Sequence, residues 1–106
     1  MAEPQFFAVA DRDEIGPGEV FTTIVEGVPV AVCNVEGRFY AIADICTHDG
    51  SSFEMTELDG EEITCPRHGA VFDVTTGEAL SAPAYVPVPT YPVRVRGTIV
   101  EVGIEP

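Results

Sequence analysis

The sequence contains no lysine, so its positive charge rests on five arginines against eighteen acidic residues, for a formal net charge of −13. Phosphate contacts need a basic stripe, and counterion release from that stripe supplies most of the affinity for a polyanion. Nucleic acid is excluded as a partner on this ground, and an anionic membrane surface is disfavoured by the same argument. Long apolar runs are missing too. Nothing approaches the ~18 residues that cross a bilayer, and residues 6–10 are an apolar stretch with no preceding positive charge and no twin arginine. Cysteine is scarce, and three is an odd count. Without a secretory signal, that count argues against a disulfide framework and for metal binding or reduced thiols in the cytoplasm.

What remains is suited to one small domain spanning residues 1–106. Hydrophobic residues make up 45% of the chain, enough for one core, and only 22% are charged, which excludes a disordered tail. Ten glycines and nine prolines imply many turns. Short β-rich runs recur between turn signals, the pattern of a small antiparallel sandwich or barrel. Residues 19–25, 29–35 and 38–43 read as a three-strand meander joined at Glu26-Gly27 and Glu36-Gly37. Asp59-Gly60 turns the chain toward a strand at 62–65, and Thr76-Gly77 closes a hairpin after 71–74. Residues 91–95 pair with 98–102 across Arg96-Gly97. Helical periodicity is absent except for one turn near 11–15, and no internal repeat stands out. Pro83, Pro87, Pro89 and Pro92 lack the N–H that a central strand needs, so that region reads as an extended surface segment or edge.

Chemistry concentrates in two short runs, Cys46-Thr47-His48 and Cys65-Pro66-Arg67-His68. Structural zinc sites more often pair cysteine with cysteine and histidine with histidine, whereas here each arm offers one thiolate and one imidazole. That mixture suits an unsymmetrical [2Fe–2S] centre with two cysteines on one iron and two histidines on the other. A structural zinc site accepts the same donors and remains the alternative. Cys33 lies in an apolar run and reads as an ordinary buried thiol. Six acidic residues, Asp49, Glu54, Glu57, Asp59, Glu61 and Glu62, fall in or between the two runs. They read as a solvated connecting face, with a docking surface for a basic partner as the alternative.

On these residues the sequence resembles a Rieske-type ferredoxin. The likeness includes 46–50, 65–69, Phe72-Asp73, Thr76-Gly77 and the segment 81–84, which in Rieske proteins covers the cluster from a third side. The resemblance implies an all-β Rieske fold, an antiparallel sandwich or barrel with a cluster-binding part at about 44–84 formed by two ligand loops. It also implies one [2Fe–2S] cluster, with Cys46 and Cys65 on the inner iron and His48 and His68 on the outer, solvent-facing iron. High-potential Rieske proteins carry an extra disulfide, but Ser51 and Arg67 stand where its cysteines would be. The same proteins use a Ser and a Tyr hydroxyl toward the cluster, where this chain has Ala70 and Phe72. Fewer donors and a strongly negative charge both favour a low potential, roughly −150 mV.

The resemblance is to the ferredoxin components of bacterial ring-hydroxylating dioxygenase systems, in aromatic hydrocarbon catabolism. It implies a soluble cytoplasmic carrier, fed by a flavin-dependent ferredoxin reductase and delivering one electron to a terminal Rieske non-haem iron oxygenase. An oxygenase would need further histidines for a mononuclear iron, and the chain has only two, so it is read as no enzyme. The rival readings are a Rieske-like small subunit of assimilatory nitrite reductase and an accessory ferredoxin of iron–sulfur assembly.

Overall fold

In the computed structural model, residues 3–47, 50–67, 69–82 and 84–105 are described. Strand β1 (Gln5–Asp11) runs into one turn of 3-10 helix, Arg12–Glu14. A capping box holds that turn: Asp13 N–H donates to the Asp11 carboxylate, and Asp11 N–H donates to Glu14. Strands β2 (Val20–Val25), β3 (Val28–Val35) and β4 (Arg38–Ala43) then form the expected meander. Both of its turns place two residues at positive φ, Glu26 and Gly27 and then Glu36 and Gly37, which matches the twist of the strands they join.

The chain continues through β5 (Leu58–Asp59), β6 (Glu62–Thr64) and β7 (Val71–Asp73), a small sheet of its own. After an extended proline-rich stretch come β8 (Thr90–Tyr91), β9 (Val93–Arg96) and β10 (Ile99–Ile104). The run expected at 91–95 is split at Pro92. Tyr91 pairs with β4, whereas Val93 onward pairs with β10, so the chain changes sheets at the residue that has no N–H to donate. The hairpin read after 71–74 has only a single bridge, Phe72 to Ala79, on its return. Strand β1, absent from the sequence reading, pairs along β10 from Gln5↔Ile104 to Asp11↔Ile99. All these pairings are antiparallel, in sheets ordered β1-β10-β9, β2-β3-β4-β8 and β5-β6-β7.

Strand alternation on β3 explains how the layers meet. Val30 and Val32 face a sandwich core with Val100, Val102 and Ile104, while Ala31 and Cys33 face a second core with Phe53, Ile63, Phe72 and both motif cysteines. Tyr91 packs against both cores. The site therefore stands directly on a strand buried on both faces. Asn34, the one buried polar side chain among the described residues, is satisfied: it donates to the Ile15 carbonyl and accepts from Gly37 N–H, each at 2.7 Å.

Candidate metal centre

Cys46 follows β4 and Cys65 follows β6, and both are fully buried in the second core. Each begins a loop closed by the same two backbone bonds. Cys46 N–H donates to Ser51 and Gly50 N–H donates back to Cys46, both at 2.7 Å. Cys65 N–H donates to Ala70 at 2.7 Å, and Gly69 N–H donates back to Cys65 at 3.0 Å. Gly50 and Gly69 have φ of 80° and 77°, a left-handed conformation in which glycine bears no penalty. Farther along each loop a phenylalanine, Phe53 or Phe72, turns into the core. The two rings meet edge to face, 5.8 Å apart at 84°. In their described residues the loops are thus closed alike nineteen positions apart, a repeat that is hard to see in the sequence because it rests on only Cys, Gly and Phe.

A third segment ties the loops together. Thr47 donates its hydroxyl proton to the Val86 carbonyl at 2.7 Å, while Val71 N–H donates to Ser81 Oγ at 3.2 Å and Leu80 N–H to the Val71 carbonyl. This is the segment read as the third cover, although Pro83 lies outside the described residues. Its far side rests on Gly77, whose carbonyl accepts from Val88 N–H at 2.8 Å. A Cβ on Gly77 would stand 2.3 Å from the Val88 carbonyl oxygen, so close approach as well as a φ of 82° demands glycine there.

Of the four residues predicted to bind metal, the structure brings Cys46 and Cys65 into one core, and His48 and His68 lie outside the described residues. The donor set suits a soft iron centre: the two cysteines are buried in one apolar cluster with Ala70, Phe53, Phe72 and Ala84. Cys33 is buried beside them, and burial together with the nearby Asp44 carboxylate pushes its thiol up to about 12, as expected of an inert core cysteine. Ala70 and Phe72 are fully buried and carry no hydroxyl. Sequence reasoning missed Asp44, whose carboxylate accepts from Ser52 Oγ and Phe53 N–H, and Thr47, because their roles depend on contacts that spacing does not reveal. Glu54, Glu57, Asp59, Glu61 and Glu62 are all exposed, as read; Asp49 lies outside the described residues.

Comparison with known proteins agrees with this architecture. The Rieske [2Fe-2S] domain family matches residues 5–92. The ferredoxin component of the naphthalene 1,2-dioxygenase system of Pseudomonas aeruginosa is 42% identical, over 98% of this chain and 99% of its own. A solved complex of reduced oxygenase and oxidized ferredoxin in carbazole 1,9a-dioxygenase contains a chain that superposes with a TM-score of 0.88 at 37% identity, covering 94% of each chain. The terminal oxygenase of carbazole 1,9a-dioxygenase from Nocardioides aromaticivorans IC177 shares the fold alone, with a TM-score of 0.89 at 24% identity over 99% of this chain and 31% of that one. With paired cysteine loops on a two-sided core and a relative matching almost end to end, this chain belongs to the Rieske [2Fe–2S] family and carries one [2Fe–2S] cluster.

Proposed function

We propose that this chain is the ferredoxin component of an aromatic-ring dioxygenase system, a one-electron carrier and not itself the enzyme. The observation that carries the reading is the near end-to-end match to a naphthalene dioxygenase ferredoxin, in a chain whose two ligand loops are built alike. The relatives favour neither the nitrite reductase reading nor the iron–sulfur assembly reading. A zinc-binding module is disfavoured by the same family match.

The bound cluster supplies one exchangeable electron. Cys46 and Cys65 hold its inner iron through thiolates, and their burial keeps water from that side. His48 and His68 complete the ligand set at the outer iron, a reading supported by their place two and three positions after the cysteine of each loop. Residues 1–106 act as one domain, with the cluster-binding part at about 44–84; the sharing of β3 between both cores supports this. The missing hydroxyls at Ala70 and Phe72 keep the potential low. A flavin-dependent ferredoxin reductase donates the electron, and a terminal Rieske non-haem iron oxygenase accepts it, as the oxygenase–ferredoxin complex of the carbazole system suggests. The reduced state of an odd set of cysteines suits the cytoplasm as its compartment. No helix among the described residues is long and apolar enough to cross a membrane.

Iron and acid-labile sulfide analysis, with electron paramagnetic resonance of the dithionite-reduced protein, tests the cluster. Two irons and two sulfides per chain are expected, and a colourless protein holding one zinc would overturn the reading. Reconstitution with candidate reductases and oxygenases, scored by electron delivery, tests the function. His48→Cys places a third thiolate at the cluster and should change the resonance spectrum; an unchanged spectrum removes His48 from the ligand set.

A further inference from the structure

The two ligand loops share their inner closure but differ in their outer one. Around Cys65 the outer closure is a backbone ladder, because β6 and β7 pair Thr64 with Val71 and Ile63 with Phe72. Nineteen residues earlier, the positions equivalent to Ile63 and Phe72 are Asp44 and Phe53. No strand pairing joins these two among the described residues. Instead the Asp44 carboxylate spans the gap: Oδ1 accepts from Phe53 N–H and Oδ2 accepts from Ser52 Oγ–H, both at 2.7 Å. Ser52 Oγ in turn accepts from Glu54 N–H at 3.0 Å, so the bracket extends past the loop. Asp44 itself is fixed by its own N–H, which donates to the Pro29 carbonyl at 3.1 Å on the adjoining end of β3. Both carboxylate oxygens are thus used within the fold, in charge-assisted bonds that are short and directional.

We infer that Asp44 is a positioning residue for the cluster: its side chain replaces, in the first ligand loop, the strand ladder that closes the second, and so sets the place of Cys46. The inference rests on the reading of 46 and 65 as the cysteine ligands. Two consequences follow from the geometry. The outer closure of the first loop rests on one carboxylate where that of the second rests on a strand pair, so removing the Asp44 side chain loosens the first loop without touching the second. The bracket also acts through an acceptor oxygen, so an amide serves in its place: the Asn carbonyl oxygen accepts from Phe53 N–H while its NH2 group donates to Ser52 Oγ.

The test compares the holoprotein with Asp44→Ala and Asp44→Asn. Both variants lose the same negative charge and only the first loses the bracket, so any difference between them reports geometry. In Asp44→Ala, cluster loss to a ferrous chelator should accelerate at least tenfold, with shifted g-values in the reduced-state spectrum. Asp44→Asn should stay within about threefold of the parent with g-values unchanged. Ser52→Ala removes one arm and should fall between them, and it keeps the test open if Asp44→Ala takes up no cluster. Equal behaviour of Asp44→Ala and Asp44→Asn, or an Asp44→Ala protein that matches the parent, would overturn the inference. Amide hydrogen exchange at Phe53 separates this failure from failure of the cluster reading. Whatever metal the protein holds, Asp44→Ala should speed exchange at Phe53 at least tenfold and leave exchange at Phe72 unchanged.

Discussion

Replacing Gly77 with alanine tests whether the segment over the cluster is held by backbone contact. The new Cβ would lie 2.3 Å from the Val88 carbonyl oxygen and 2.9 Å from Thr90 Cγ2, where ordinary contact begins at 3.4 Å, so the chain at Val88 must retreat by about 1 Å. That movement strains the 2.8 Å bond from Val88 N–H to the Gly77 carbonyl, worth ~1 kcal/mol net. The left-handed φ of 82° adds ~1–2 kcal/mol for any residue with a Cβ. Loss of packing for the buried Val88 and Ala84 comes on top. Gly97, in the β9–β10 turn, provides the control: its φ is 62°, and no neighbouring atom stands within 4 Å of the place a Cβ would take. There the left-handed strain acts alone, partly offset by ~0.4–1 kcal/mol from the stiffer unfolded chain, for a net cost of ~1 kcal/mol. Gly77→Ala carries the same offset and should cost ~2 kcal/mol or more by the sum of these effects. At ~4–8 °C per kcal/mol, the midpoint falls by ~4–8 °C for Gly97→Ala and by at least ~8 °C for Gly77→Ala. Thermal melts followed at the cluster absorbance and by far-ultraviolet circular dichroism measure both. Because the Val86 carbonyl holds Thr47, Gly77→Ala should also bleach faster under a chelator, while Gly97→Ala should not. Equal shifts in the two variants would refute the close-approach argument.

Other outcomes follow from the same structure. Ala70→Ser and Phe72→Tyr should each raise the reduction potential by roughly 40–90 mV, taking a redox-differential gain of ~1–2 kcal/mol per hydroxyl and 59 mV per tenfold change; protein-film voltammetry measures this, and an unchanged potential in a cluster-loaded double variant rules it out. Cys33, its thiol raised to about 12, should resist alkylation from pH 7 to 9, where an ordinary thiol speeds up. The sign is that of a neutral form favoured by folding, so this group's contribution to stability is complete below about pH 9 and declines as pH rises from there toward 12. Electron delivery to a partner should slow as salt rises, since a charge of −13 steers a basic surface and screening shortens its reach to ~8 Å at physiological ionic strength. On the proposed function, Tyr85 and Val86, both exposed on the segment that ties the ligand loops, offer apolar contact to a docking oxygenase: Tyr85→Ala is expected to weaken binding of that partner about fivefold, ~1 kcal/mol, with little change in salt dependence, and unchanged binding places the docking surface elsewhere.

The meander was legible because its turns are chemical signals: an acidic residue followed by glycine, twice, at positions where both residues adopt positive φ. Strand β1 was not, since residues 6–10 are apolar without alternation and their partner, β10, lies at the other end of the chain. Local pattern carries no trace of such a pairing. The split at Pro92 follows from proline chemistry, yet which sheet each half joins is a tertiary matter. At the site, Cys46 and Cys65 stood out by residue type and spacing. Asp44 did not, and Thr47 and Ser81 were noticed only as members of their runs, because each bonds to a residue at least eight positions away, a partner only folding supplies.

The pairing of Gln5 with Ile104 brings the two ends of the fold to neighbouring strands of one sheet. A chain that enters and leaves at nearly the same place can be spliced into a larger polypeptide without disturbing its own layers. Circular permutation should be tolerated for the same reason, with a short linker across β1 and β10 and new ends opened at the exposed Gly97-Thr98 turn. The electron-carrying unit is therefore portable, and whether it travels as a separate shuttle or as a built-in relay is decided by what is attached to that one edge.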